Sequence, residues 1–278
     1  MTLHVKLDIG LIGCGTIGTE IATAVHTGRV PNTNLTAVFD IDEEQTKTLV
    51  ESLDGAPNPV DSVSTLITEA DLVVEAAGQA AVQSVAVDVL ESNTDLMIMS
   101  VGALAETSLR RSVIEAADGE SSRLYVPSGA IAGLDAIKAA ALANELSSVT
   151  LTTRKPPSGL EGAPYIEDNE IDLNGLEEES VIFEGSATEA ARAFPANVNV
   201  AMSLSLAGIG PEETAVTVVA DPDEINNVHQ IAAEGSAGRI QTTVQNVPSP
   251  TNPKTSYLAA LSAIEKLRSI TGAVSTGT

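Results

Sequence analysis

One cysteine, no tryptophan, 2% aromatic residues and 14 basic side chains against 38 acidic ones define this chain first by what it lacks. A lone cysteine excludes an intramolecular disulfide. The formal net charge of −24 repels phosphate backbones and anionic lipid surfaces, so nucleic acids and membranes are not expected as partners. No apolar run approaches the ~18 uninterrupted residues that a membrane span requires. The start, Met-Thr-Leu-His-Val, has no charged region ahead of an apolar core, so no leader is expected and the chain reads as cytoplasmic. The three histidines and the scattered carboxylates show no metal-ligand spacing, so no metal site is expected.

What the chain does have is Ala, Val, Ile and Leu, within a hydrophobic fraction of 43% over 278 residues, enough for two cores. Its acids are spread along the sequence instead of being gathered in one tail. That spread suits solvation at very high salt, where the Debye length falls to roughly 3 Å and self-repulsion fades.

The organising stretch is Gly13-Cys14-Gly15-Thr16-Ile17-Gly18. It follows an apolar run over residues 5–12 that reads as a buried strand, and it precedes apolar residues at helical spacing over 19–25. Strand, glycine turn and helix in that order make G-x-G-x-x-G a dinucleotide cradle. The first glycine permits the tight turn, the second admits a pyrophosphate, and the third lets helix pack on strand, with helix N–H groups facing the phosphates. Gly13, Gly15, Thr16, Ile17 and Gly18 are therefore candidate cofactor contacts. A second strand, 35–39, ends in Asp40, 22 residues after Gly18, where an acid can bond a ribose 2′-hydroxyl and disfavour a 2′-phosphate. NAD is the expected cofactor, with NADP as a second.

Strands near 71–78, 95–100 and 124–127 alternate with helices near 63–69, 80–91 and 107–117. This rhythm predicts an α/β fold with a Rossmann-type, doubly wound parallel sheet over residues 1–127. After the small-residue turn Ser128-Gly129-Ala130-Ile131-Ala132-Gly133 and a helix over 134–146, the pattern changes. Strands at 149–154, 181–184, 214–220, 227–233 and 240–245, with helices at 187–193 and 198–206, predict an α+β catalytic domain over 128–252 with a mostly antiparallel sheet. Residues 156–179 read as a mobile polar excursion. A Pro-rich turn over 247–253 leads to an amphipathic helix, 255–268, and the segment 253–278 is expected to return to the nucleotide domain.

The three histidines differ in setting. His4 stands near the start, and His26 closes the first helix, where an imidazolium suits the dipole. His229 is the one imidazole of the second domain. Period-two alternation puts Asn227, His229 and Ile231 on one strand face, making His229 the candidate catalytic residue and Asn227 a candidate substrate contact. Oxidation through a cysteine adduct is not expected, because Cys14 sits in the pyrophosphate turn, away from the nicotinamide. Cations are scarce enough to be informative. Arg154, in Arg154-Lys155-Pro156-Pro157, and Lys254, read as standing at a helix start, are candidates for gripping carboxylates, and each has a surface ion pair as its bland alternative.

The glycine turn, Ser128-Gly129-Ala130-Ile131-Ala132-Gly133-Leu134-Asp135-Ala136, Thr153-Arg154-Lys155-Pro156-Pro157 and Phe194-Pro195-Ala196-Asn197-Val198-Asn199-Val200-Ala201 together resemble the L-aspartate dehydrogenase family. So do Ala220-Asp221-Pro222, Asn227-Val228-His229 and Asn252-Pro253-Lys254-Thr255-Ser256, so the likeness runs from end to end. It implies a homodimer that interconverts L-aspartate with oxaloacetate and ammonia through iminoaspartate, using NAD or NADP. It implies His229 as catalytic residue and Ala132 and Asn199 as cofactor contacts. For such a substrate the scarce cations Arg154, Lys155 and Lys254 are the candidates for the two carboxylates. The stretch 230–238 departs from the family in having smaller apolar residues around His229. A related homoserine or dihydrodipicolinate-type oxidoreductase is the rival enzyme, and a non-catalytic dinucleotide-sensing protein the rival outside enzymes.

Overall fold

The computed structural model describes residues 6–119, 121–142, 145–249, 252–274 and 276–277. His4, Val5, Ala143, Asn144, Pro250 and Thr251, on which expectations above fall, lie outside the described residues. The chain divides into two compact units, Met1–Pro127 with Ala259–Thr276, and Ser128–Leu258 with Gly277–Thr278.

The first unit runs β1 (Leu7–Ile12), α1 (Thr16–His26), β2 (Thr33–Phe39), α2 (Glu43–Ser52), β3 (Asn58–Pro59), α3 (Val63–Thr68), β4 (Leu72–Glu75), α4 (Gln79–Glu91), β5 (Asp95–Ile98), α5 (Thr107–Gly119) and β6 (Leu124–Tyr125). The strands form one parallel sheet in the order β3-β2-β1-β4-β5-β6, the doubly wound arrangement expected. Strand order reverses between β1 and β4, which opens the crevice where such sheets bind ligands. The last four residues of β1 and all of β4 are buried, as continuous apolar central strands require.

Helix α2 was not legible as a helix. Only Thr46 and Leu49 of its ten residues are buried, so the apolar stripe is too thin to read. Local chemistry starts it instead: the Asp42 carboxylate accepts from the Glu44 amide at 3.1 Å, and Glu43 and Glu44 complement the dipole.

The second unit carries α6 (Leu134–Ala141), β7 (Leu146–Lys155), α7 (Pro164–Asp168), β8 (Ser180–Ser186), α8 (Ala187–Ala193), α9 (Asn199–Ala207), β9 (Ala215–Ala220), β10 (Asn227–Gly235), β11 (Gly238–Asn246), β12 (Pro248–Ser249) and β13 (Asn252–Ser256). Its main sheet has the order β11-β10-β7-β9-β8, antiparallel except for the parallel β7–β9 pair. Helix α6 ends earlier than periodicity suggests, since Leu146 already belongs to β7. The 156–179 excursion is anchored, contrary to the reading of a mobile loop. Leu160, Ile166 and Leu173 are buried, and the Tyr165 ring meets Phe183 and Phe194 at centroid distances of 5.3 and 5.6 Å. These apolar anchors are spaced too irregularly for a pattern reading to find them.

The Pro-rich turn is a short antiparallel pair, β12 with β13. The last helix, α10 (Tyr257–Thr271), begins after it, because the ring of Pro253 biases Asn252 to extended backbone. Ala263, Ile264 and Leu267 of α10 pack into the first unit's core with Ile9, Leu11, Ile21 and Leu72. Full burial of each such Leu or Ile side chain contributes roughly 1.5–3 kcal/mol. No described helix is long and apolar enough to cross a membrane.

Candidate active site

In the first unit, β1 delivers the chain into the glycine turn. Gly13 has φ +97°, and a Cβ there would lie 2.6 Å from the carbonyl carbon of Ala76 and the amide nitrogen of Ala77. A Cβ on Gly18 would run into the carbonyl oxygen of Gly13, so α1 can press on the turn only without one. Gly15 differs: the nearest neighbour of a Cβ would be Gln45 Oε1 at 3.7 Å, which leaves its backbone open to approach. Helix α1 starts at Thr16 with no side-chain cap on Gly15 and no acid in its first turn. Its orphan N–H groups and positive dipole end are thus kept for an anion, and the residues present fit a dinucleotide pyrophosphate.

Asp40 follows β2 directly and braces the same turn. Its Oδ2 accepts from the Cys14 amide at 2.7 Å and its Oδ1 from the Asp42 amide at 2.9 Å. Each oxygen keeps lone-pair capacity for a ribose hydroxyl. Cys14 points inward, where its thiol sits 3.9 Å from Thr46 Oγ1, and burial pushes its pKa up to about 11. Such a thiol is a packing group and no nucleophile.

Sequence reasoning missed Glu75, the last residue of β4. Its side chain is fully buried. Oε1 accepts from the amides of Ala77 and Gly78 at 2.8 and 2.7 Å and from Ser100 Oγ at 2.8 Å, while Oε2 accepts from the Ser100 amide at 3.1 Å. The available signal was one acid closing the apolar run Leu72-Val73-Val74.

In the second unit, β7 and β10 set the chemistry. Their register places His229 opposite Thr153, and alternation along β7 puts Thr153 and Lys155 on one face. All three are buried, with exposures of 4%, 4% and 7%. His229 Nδ1 lies 3.1 Å from Thr153 Oγ1. The hydroxyl can donate to that nitrogen or accept from it, and either choice fixes the role of Nε2. Burial, with the Lys155 charge nearby, pushes His229 down to about 3, and burial pushes Lys155 down to about 8. At neutral pH this places a neutral imidazole, able to accept a proton, beside an ammonium able to pair with an anion.

The structure separates other candidates from this group. Arg154 points to the opposite face of β7, 3.0 Å from Glu179 Oε2 and 3.5 Å from Asp221 Oδ2, so its guanidinium is already committed to carboxylates of the chain. Lys254 is in β13, three residues ahead of α10, and not at a helix start; its side chain lies outside the described residues. Asn227 opens β10 half-buried, and Asn199 opens α9 half-buried.

Two side chains of β11 hold the 130–132 turn. Buried Asn246 donates through Nδ2 to the carbonyls of Ala130 at 3.0 Å and Asn227 at 3.3 Å, and Thr242 Oγ1 donates to the Ala132 carbonyl at 3.1 Å. Exposed Ala132 is thereby fixed to the strand pair that carries His229.

Residues 135–270 match the family model described as aspartate dehydrogenase, C-terminal, and residues 13–127 match that described as homoserine dehydrogenase, NAD binding domain. Over 272 residues the chain is 49% identical to the L-aspartate dehydrogenase of Methanosarcina mazei, covering 98% of this chain and 100% of that protein. It is 45% identical to the L-aspartate dehydrogenase of Nitrosopumilus maritimus, covering 94% and 95%. Among solved structures, aspartate dehydrogenase from Thermotoga maritima superposes with a TM-score of 0.78 at 25% identity, covering 98% of this chain and 99% of that one. A myo-inositol dehydrogenase from Lactobacillus casei, in complex with NAD(H) and myo-inositol, shares the fold alone, with a TM-score of 0.55 at 14% identity over 98% and 89% of the two chains.

Proposed function

Because the chain belongs to the L-aspartate dehydrogenase family, we propose that it oxidises L-aspartate to iminoaspartate and hydrolyses that imine to oxaloacetate and ammonia, or runs the reverse amination. It is an oxidoreductase acting on a CH–NH2 donor, with an NAD-binding domain. Gly13, Gly15, Thr16, Ile17, Gly18 and Asp40 would hold NAD, which supplies the acceptor for the hydride leaving the aspartate α-carbon. Ala132 and Asn199 are proposed as further contacts to it.

The observation that carries the chemical reading is the buried His229–Thr153–Lys155 group. Neutral His229 takes a proton from the substrate ammonium so that hydride can leave the α-carbon and the C=N bond can form. It releases that proton to solvent, then takes one from the water that adds to the bond and returns it to the nitrogen departing as ammonia. Lys155 holds a substrate carboxylate. An arriving dicarboxylate offsets the Lys155 charge and so raises the proton affinity of both groups, which readies His229 at the moment a proton must be taken. Asn227 orients the substrate. Arg154 has no part in this scheme, since two acids occupy it.

Finer points of the proposal are a preference for NAD over NADP, a homodimer, a cytoplasmic site of action and a supply of product to NAD biosynthesis. The test is a substrate panel with purified protein, following NADH formation. Turnover with L-aspartate, and NADH consumption with oxaloacetate and ammonia, support the reading. Turnover with homoserine alone would transfer the chain to the related oxidoreductases, and NAD binding with no turnover would make it a sensor.

A further inference from the structure

A carboxylate buried with no water around it is expensive unless every lone pair is used. Glu75 meets that condition with backbone and hydroxyl donors alone. Two donors come from the loop after β4, Ala77 and Gly78, and two from the single residue Ser100 at the end of β5. The side chain is thus a clamp between two loops that leave neighbouring strands at their carboxyl ends. Those ends lie on the far side of the switch point from Asp40. If Asp40 takes the adenosine ribose, the nicotinamide half of the cofactor extends over β4 and β5. The clamped loop also touches the cradle itself, because the Ala76–Ala77 peptide fills the space a Cβ on Gly13 would occupy. Gly78, with φ +143° and nothing within 4 Å of where a Cβ would stand, then caps the start of α4.

We propose that Glu75 is a positioning residue, whose carboxylate locks the loops after β4 and β5 into one platform for the nicotinamide half of NAD. The proposal rests on the dehydrogenase reading above. Glutamine fills the same volume but replaces one acceptor oxygen with an NH2. One orientation then aims a donor at the Ala77 and Gly78 amides and the Ser100 hydroxyl, the other at the Ser100 amide alone, and the clamp opens on that side.

The experiment titrates wild type, Glu75→Gln and Ser100→Ala with NAD+ and with ADP-ribose, which lacks the nicotinamide, and records a melt of each. In Glu75→Gln the NAD+ dissociation constant should rise by about tenfold or more, as expected for lost hydrogen bonds to a charged group, while ADP-ribose stays within about threefold. Ser100→Ala, which deletes one donor and keeps the amide, should shift the same ratio in the same direction by less. Equal weakening of both ligands would overturn the proposal, since that is the mark of a generally loosened unit. So would unchanged NAD+ affinity in either folded variant. If Glu75→Gln does not fold, Ser100→Ala decides alone by the same ratio. Wild type is titrated first: failure to bind NAD+ there would remove the dehydrogenase reading and this proposal with it, whereas failure confined to the ratio removes only the proposal.

Discussion

His229 and Thr153 face each other across the β7–β10 ladder, with Nδ1 and Oγ1 3.1 Å apart and both side chains buried. The register of two strands, and no flexible loop, sets the direction of the imidazole. A catalytic group carried on a strand ladder is held more tightly than one on a loop. Thr153 therefore holds the plane of the His229 ring as a carboxylate would, but its hydroxyl can donate or accept and adds no negative charge.

His229→Ala is expected to lower kcat by ~10²–10⁴-fold while the NAD dissociation constant moves little. That loss corresponds to roughly 3–5.5 kcal/mol of transition-state stabilisation. Steady-state kinetics, a cofactor titration and a melt on the same preparation check it. Activity within about tenfold of wild type would remove His229 from catalysis and make Lys155 the next proton-transfer candidate. Thr153→Val should give a smaller loss in kcat, with the ring present but free to turn.

The pKa values predict two separate pH effects. Lys155 sits near 8, so its ammonium is present below that pH and is lost above it. The KM for aspartate should rise as pH passes through about 8, while the NAD dissociation constant stays level. A flat KM profile would mean that another group holds the carboxylate. His229 acts on stability. The unfolded imidazole takes a proton near 6.5 and the folded one resists until about 3, so in that window the unfolded state binds more protons. Stability should be full above 6.5 and decline as pH falls toward 3, and His229→Leu should remove this component. Urea midpoints of both proteins, compared between pH 6.5 and about 5, before most carboxylates titrate, isolate it.

Much of this was legible because glycine and alternation speak through backbone geometry. The cradle could be read from Gly13, Gly15 and Gly18, whose missing Cβ atoms are demanded by the turn, and the buried face of β10 from its period-two pattern. Side-chain partnership was harder. Adjacent Arg154 and Lys155 read as equivalent cations, yet one residue along a strand reverses the face. Lys155 is buried toward His229, and Arg154 meets Glu179 and Asp221, 25 and 67 positions away in sequence. Glu75 was silent for the same reason, since two of its donors, the Ser100 amide and hydroxyl in the loop after β5, are 25 residues distant. Lys254 was misplaced because Pro253 marks either a helix start or an extended pair, and only the partner strand β12 decides between them.

Asp40→Ser should narrow the preference for NAD over NADP. The carboxylate that would oppose a 2′-phosphate is removed, but Asp42, two residues on, keeps a negative charge close by. The ratio is thus expected to shrink by about tenfold, equivalent to about 1.4 kcal/mol, without inverting. NAD affinity itself should also fall, because the Cys14 amide loses its acceptor. Titrations with both cofactors decide the matter, and equal affinities in wild type would take Asp40 out of the role.

High salt should stabilise the protein. The net charge is −24, and among the described acids Glu75 is the one that is buried, so the repulsion is spread over the surface. With 14 basic residues for 38 acids, ion pairs cannot neutralise it, and those at the surface contribute little each. Raising KCl from about 0.1 to about 1 M shortens the Debye length from ~10 Å to ~3 Å, which suppresses repulsion between neighbouring carboxylates. Relief of about 2–3 kcal/mol would raise Tm by roughly 5–10 °C in a chain of this size. Sucrose at matched osmolality serves as control, because it favours burial without screening charge. A Tm that climbs with KCl well beyond the sucrose effect supports adaptation to salt. A midpoint that stays flat or falls would mean that this acidic surface folds as well in dilute buffer, and that its charge serves solubility alone.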